Sequence, residues 1–133
     1  MMNADTISAS IEHTRSLLPV GTIVLLRGTR PQPPAGYIEQ GISNGGDRPD
    51  FVGVVFPDGR VSVRWQTEYC STVDWDSLAD FLHVHGHPDY GTELSFQFVG
   101  PDGGVIRPEQ LLTRPVPFPF NIPVSFSMQA GYL

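Results

Sequence analysis

Three histidines, His83, His85 and His87, alternate in the segment LHVHGHPDY. If this segment is extended, side chains two residues apart share a face, and His-x-His is a spacing that zinc sites use. If a helix continues into the segment, His83 and His87 instead stand one turn apart. In either case Asp89 is placed to act as a fourth ligand or to orient an imidazole. The chemistry that this pattern indicates is zinc binding.

The same residues can be explained without a metal as a polar segment at the C-terminal end of a helix, and the sequence favours this interpretation. Gly86 and Pro88 would end a helix and force a turn. A catalytic zinc site usually draws further ligands from distant positions, and His13 is the only other histidine of the chain. Zinc binding by the three histidines is therefore kept as the alternative.

Carboxylates and one thiol are the other groups that could perform catalysis. Asp74, Asp76 and Asp80 could pair as general acid and base, but aspartates near a helix start are more often caps. Cys70, the single cysteine, would need a nearby base to act as a nucleophile, and we expect a small buried hydrophobe instead. No segment matches a nucleotide-binding glycine pattern. The sequence therefore predicts no catalytic residues, and we expect a protein that is not an enzyme.

The C-terminal arm, residues 108–133, contains a run in which residue type follows the parity of the position. The large apolar residues are all even-numbered: Val116, Phe118, Phe120, Ile122, Val124 and Phe126. The prolines are all odd-numbered: Pro115, Pro117, Pro119 and Pro123. In an extended chain, side chains of one parity point to one face, so the apolar groups form a single side.

The prolines of the arm also remove backbone donors from one lateral edge, which leaves the other edge free to pair with a sheet. Two arrangements satisfy this pattern. The arm either folds back as the edge strand of its own domain or adds to the sheet of a neighbouring subunit. In both, the apolar side must be covered, because exposed apolar patches of this kind mark interfaces. The six apolar residues are the predicted interface.

The elements that position these groups are predicted from periodicity and turn chemistry. Residues 51–65 form the clearest unit, because two alternating runs flank Pro57-Asp58-Gly59, a sequence suited to a tight turn. The hairpin places Val61, Val63 and Trp65 on one face. The other predicted elements are a helix over 5–18 capped by Asp5 or Thr6, a strand over 21–28, a long loop over 29–50, a helix over 74–82 and a strand over 92–99.

The composition favours a small domain with an acidic surface. The chain has 133 residues, of which 40% are hydrophobic, and its 14 Gly and 13 Pro favour short strands over long helices. The formal net charge is -6, so nucleic-acid binding through Arg60 and Arg64 is disfavoured. No segment approaches the roughly 18 apolar residues of a membrane span, and the N-terminus lacks the signal-peptide pattern. We expect an intracellular or particle-bound protein that is not secreted through a signal peptide.

The pattern GVVFPDG, then VRW, then HGH resembles small uncharacterised proteins of actinobacteria and their phages. This resemblance implies a source and no site residues, and with it we expect the virion or the host cytoplasm as the location. The order of a glycine-bounded strand, a long loop, a tight hairpin and a short helical turn is similar to an SH3-like barrel, and a fold alone does not fix a function.

These observations together predict a mainly β protein, an SH3-like barrel or sandwich over 20–107, with an N-terminal helix within 1–19 and an extended arm over 108–133. The expected function is that of a non-enzymatic structural or adaptor protein that binds other protein subunits as a homo-oligomer or larger assembly. A phage virion component with a role in capsid decoration, neck or tail fits this description. The alternative is a zinc-binding module or a small metalloenzyme that uses the three histidines.

Overall fold

The computed structural model of the chain describes residues 3–106 and 125–127. Two helices, α1 (Ala4–Ser16) and α2 (Leu78–His85), and a 3-10 turn at Pro88–Tyr90 accompany seven strands. The strands are β1 (Ile23–Thr29), β2 (Phe51–Val55), β3 (Val61–Trp65), β4 (Thr72–Trp75), β5 (Glu93–Val99), β6 (Val105–Ile106) and β7 (Ser125–Ser127). Neither described helix is long and apolar enough to cross a membrane.

All seven strands belong to one antiparallel sheet with the order β4-β3-β2-β1-β5-β6, and β7 also pairs with β5. This confirms the mainly β class. Among the strands of residues 3–106 and 125–127, no pairing joins β4 to β6, so the sheet stays open at its ends. The predicted SH3-like barrel is therefore not confirmed.

The predicted hairpin is confirmed as β2 and β3, with Phe51 opposite Trp65 and Val55 opposite Val61. Gly59 takes the left-handed conformation, with φ of 91°, and its N–H donates to the carbonyl of Phe56 at 2.9 Å. The Asp58 carboxylate accepts from the N–H of Arg60 at 3.0 Å. The turn therefore forms from local chemistry that the sequence displays.

The first helix forms close to the predicted position but with a different cap. The side chain of Asn3 accepts from the N–H of Thr6 at 2.9 Å, so the prediction of Asp5 or Thr6 as the cap is wrong. Ile7 and Ile11 are completely buried, as their spacing indicated.

The second helix starts four residues later than predicted, at Leu78. The segment 72–75 pairs with β3 as β4, which leaves the Oγ of Ser77 to cap the helix by accepting from the N–H of Asp80 at 3.1 Å. The assignment of Asp74 to the helix start is therefore wrong, because a strand pairing that spans the β3–β4 connection takes priority over local capping.

One face of the sheet and both helices enclose the core. Buried side chains alternate along β1, β3 and β5, and those of α1 and α2 cover them. The core consists of Ala4, Ile7, Ile11, Val24, Leu26, Phe51, Val55, Val61, Val63, Leu78, Phe81, Leu82, Leu94, Phe96 and Phe98. Because both helices lie on the same side, the opposite face of the sheet carries no helix among the described residues.

The predicted long loop is confirmed, since residues 30–50 contain no helix or strand. Asp50, which is fully buried, organises its end. The carboxylate accepts from the Oγ of Ser43 at 2.7 Å and from the N–H of Asn44 at 2.7 Å. The side-chain amide of Asn44 donates in turn to the carbonyls of Pro49 and Gln66. These bonds tie the loop to the end of the hairpin.

Candidate functional site

The predicted zinc ligands do not converge on one point. His83 turns outward at the end of α2, where its Nε2 lies 3.0 Å from the Oδ1 of Asp5. His85 packs inward, with ring centroids 5.1 Å from Trp65 and 5.7 Å from Trp75. These two imidazoles therefore contact different parts of the fold.

His87 has a third environment. Its ring stacks on Tyr90, with centroids 4.1 Å apart and planes 3° from parallel. It is also a non-glycine residue with positive φ, 40°, so the turn after α2 is made by His87 and not by Gly86, which stays helical. Within residues 3–106, no three His, Cys, Asp or Glu side chains come together as a metal site. The geometry thus lends no support to zinc binding by His83, His85 and His87.

A buried arginine at the centre of an aromatic cluster is a feature that sequence reasoning missed. Arg30 is 6% exposed, and its guanidinium lies 5.2–5.6 Å from the ring centroids of Phe51, Trp65 and Tyr90. It donates to the main-chain carbonyl of His85, while its Nε has no hydrogen-bond partner among the described residues. Cation–π contacts thus replace an ion pair here. No periodicity marks a residue inside a proline-rich loop, so the sequence carried no signal for this role.

Arg30, Phe51, Trp65 and Tyr90 form the Arg30 cluster. The pKa values of Arg30 itself and of two nearby histidines are lowered there. Burial lowers the pKa of Arg30, and the nearby charge of Asp50 partly opposes this shift. Burial and the positive charge of Arg30 also lower the pKa of His85, and the same two causes lower the pKa of His87. Both imidazoles are therefore held neutral at pH 7, where they act as packed rings.

The remaining catalytic candidates are dispersed. Asp74 lies in β4, Asp80 in the first turn of α2, and Asp76 between them. Cys70 is exposed, and its thiol donates to the carbonyl of Thr67 at 3.1 Å. The expectation that Cys70 is buried is wrong, because it lies in the β3–β4 connection and not in a strand.

The face of the sheet opposite the helices is the most extensive candidate surface. The open face consists of Leu25 and Arg27 of β1, Val52 and Val54 of β2, Ser62 and Arg64 of β3, and Ser95 and Gln97 of β5. Side chains of alternate parity point away from the core, so these residues share one side. They line a shallow groove of about 660 Å³.

The open face has an aliphatic centre and a polar margin. Leu25 lies opposite Val54, and Val52 lies between Arg27 and Arg64 in the same cross-strand row. The three aliphatic side chains are only partly buried. Arg64 donates from Nη1 to the Oγ1 of Thr72 at 3.2 Å. Partly covered aliphatic groups bordered by arginines suit the binding of another polypeptide.

Phe126, the last of the six predicted interface residues, belongs to the sheet. It lies in β7, opposite Leu94 of β5, so residues 125–127 pair with their own domain. The other five predicted interface residues, Val116, Phe118, Phe120, Ile122 and Val124, lie outside the described residues.

Comparison with known protein families finds a match for the central part of the chain. Residues 40–97 match the model of a family described as Acb5 phage protein. No curated protein and no solved structure matches the chain. The matched segment contains the hairpin, β4, α2, the three histidines and six of the eight residues of the open face, including Val54 and Arg64. In this central part the chain is similar to a phage protein family, which supports the phage association that the sequence predicted.

Proposed function

We propose that this protein is a non-enzymatic structural or adaptor protein of a phage, and that it binds other protein subunits through the open face of its sheet. A component of the virion fits this role. The observation that carries the proposal is the aliphatic centre of the open face, which both helices leave uncovered among the described residues. Six of the eight residues of this surface lie within the segment that matches the phage family.

The chemistry of the open face supports a protein partner. Leu25, Val52 and Val54 provide apolar contact, and Arg27 and Arg64 provide donors at the margin. Arginine is enriched and lysine depleted at protein interfaces. The formal net charge of -6 opposes a nucleic-acid partner, even though two arginines lie on this face.

The zinc alternative receives no support from the described residues, because each of the three histidines has a different contact. A metal assay of the purified protein tests it directly. Stoichiometric zinc, lost in the triple variant His83→Ala, His85→Ala, His87→Ala, would favour that alternative over subunit binding.

A single charge at the centre of the open face tests the proposed function. Val54→Glu places a carboxylate in the aliphatic centre, and we expect it to abolish self-association. Val20→Glu is the matched control, because Val20 is 97% exposed and lies outside the sheet. Light scattering should show a loss of mass for Val54→Glu and an unchanged mass for Val20→Glu. Equal masses for both variants, with circular dichroism like that of the wild type, would contradict the proposal.

A further inference from the structure

The open face is too small to support a dimer by itself. Four strands about 4.8 Å apart and five residues with a rise of about 3.3 Å cover about 300 Å². Two copies packed face to face would bury about 600 Å² in total, whereas stable protein interfaces bury about 1,200 Å² or more. The face therefore suits a narrow, extended occupant that brings further contacts with it.

We propose that residues 115–124 of a second copy of this chain occupy the open face, an inference that rests on the proposed function. This segment carries Val116, Phe118, Phe120, Ile122 and Val124 on one side when extended. Five such side chains bury on the order of several hundred Å², which brings a reciprocal dimer into the range of stable interfaces.

The polar groups of the segment and the face are complementary. Residues 115–124 include four prolines, which lack an N–H, so the extended backbone offers more acceptors than donors. The margin of the open face offers donors from Arg27, Arg64 and Gln97. An acceptor-rich extended chain therefore complements a surface of apolar groups and side-chain donors.

The strands that precede and follow residues 107–124, β6 and β7, both lie on one edge of the sheet. The whole of β5 pairs with β1 on one edge, so β6 and β7 share its other edge. Ile106 lies opposite Phe98 and Ser125 opposite Ser95, three positions apart, which is about 10 Å along β5. Ile106 and Ser125, the described residues on either side of 107–124, therefore lie close together on one edge of the sheet.

On the sheet of the same copy, the return point at the β5 edge limits which residues of the apolar run can reach the aliphatic centre. From β5 to β4 are four strand spacings, about 19 Å, whereas an extended run from Val124 back to Val116 covers about 26 Å. Laid across its own sheet from the return point, the run would contact the aliphatic centre only with its last residues. The arm of a second copy is not tethered to that edge and can place the middle of the run over the aliphatic centre, which favours a second copy as the source of the occupant.

Disulfide trapping between full-length chains tests this inference. In a Cys70→Ser background, one chain carries Ser62→Cys on the open face, and a second chain carries one of the five apolar arm residues changed to Cys. Mixing the two under mild oxidation should give a covalent species of twice the monomer mass for at least one even-numbered position. Asn121→Cys is the matched control, because it lies on the opposite side of the run and should not be trapped.

The alternatives give different results. A chain carrying both cysteines that loses its free thiols without any gain in mass would show that the arm covers its own sheet, and would overturn the inference. The absence of any disulfide would overturn it as well. If the wild-type chain still has a mass above that of the monomer in either case, the proposed function stands and the occupant of the face is a different segment.

Discussion

His85 couples the stability of the fold to pH. Burial and Arg30 hold its pKa below the ordinary value of 6.5, so the folded protein binds this proton more weakly than the unfolded chain does. A lowered histidine pKa gives stability that is present above the unfolded value and is lost as the pH falls through the folded value. The pKa of His87 is lowered as well, so both histidines contribute to the same loss of stability at low pH.

We therefore expect the melting temperature to fall between about pH 7 and about pH 5, the interval in which a histidine takes up its proton. His85→Phe keeps a ring against Trp65, Trp75 and Phe81 and removes the titration, so the fall should become smaller. His13→Gln, at an exposed position of α1, is the control. An unchanged pH dependence in His85→Phe, measured by calorimetry, would refute this account of the Arg30 cluster.

Asp50 holds the end of the long loop, and its removal should be costly. Asp50→Ala leaves the buried hydroxyl of Ser43 and the partly buried N–H of Asn44 without their acceptor. We expect a loss of about 2–4 kcal/mol in the free energy of unfolding, measured by urea titration. Asp58→Ala removes a comparable acceptor from the exposed hairpin turn and should cost less than about 1 kcal/mol. Similar losses for both variants would argue against an organising role for Asp50.

At the scale of the elements, the close contact between β1 and the ring of Phe51 sets the shape of the core. A Cβ on Gly28 would lie 2.1 Å from the Cζ of Phe51, and that ring is held in place by Trp65 and Phe81 at 5.3 and 5.1 Å. Gly28→Ala should therefore destabilise the fold by about 1–3 kcal/mol or more, by overpacking.

The matched control for this prediction is Gly46→Ala. The nearest atoms to a Cβ on Gly46 are 3.7 Å away, and its φ is not in the left-handed region. Thermal unfolding should show a near-neutral effect at position 46 and a clear loss at position 28. A tolerated alanine at position 28 would mean that Phe51 has room to move.

Elements that are specified locally were predictable from the sequence. The hairpin follows from Pro57, Asp58 and Gly59 with alternating runs on both sides, and β5 follows from the alternation of Leu94, Phe96 and Phe98. The start of α2 was not predictable, because Asp74 and Ser77 are both good caps and only the pairing of β4 with β3 decides between them.

The candidate site was predictable only in part. The outward orientation of Ser62 and Arg64 follows from the hairpin pattern, but their alignment with Leu25, Arg27 and the polar residues of β5 depends on strand order. Strand order arises from long-range pairing, which periodicity does not encode. For the same reason, the place of Arg30 among three aromatic rings from separate elements could not be seen in the sequence.

At the scale of the whole molecule, the two faces of the sheet differ, because only one of them is covered by the described helices. Both helices pack on the core face, and the opposite face presents a partly buried aliphatic centre. The chain also carries an apolar run in residues 115–124, and the described strands that precede and follow residues 107–124 both pair with the β5 edge of the sheet. Association of subunits through these two features would cover both the open face and the apolar run.

The mass of the full-length chain in near-native solution tests this account most directly. We expect native mass spectrometry or light scattering to give a multiple of 14.6 kDa, and deletion of residues 115–133 to reduce it to the monomer while the core stays folded. A full-length chain that remains a single 14.6 kDa species at every concentration, with its open face accessible to solvent, would contradict subunit binding through this surface.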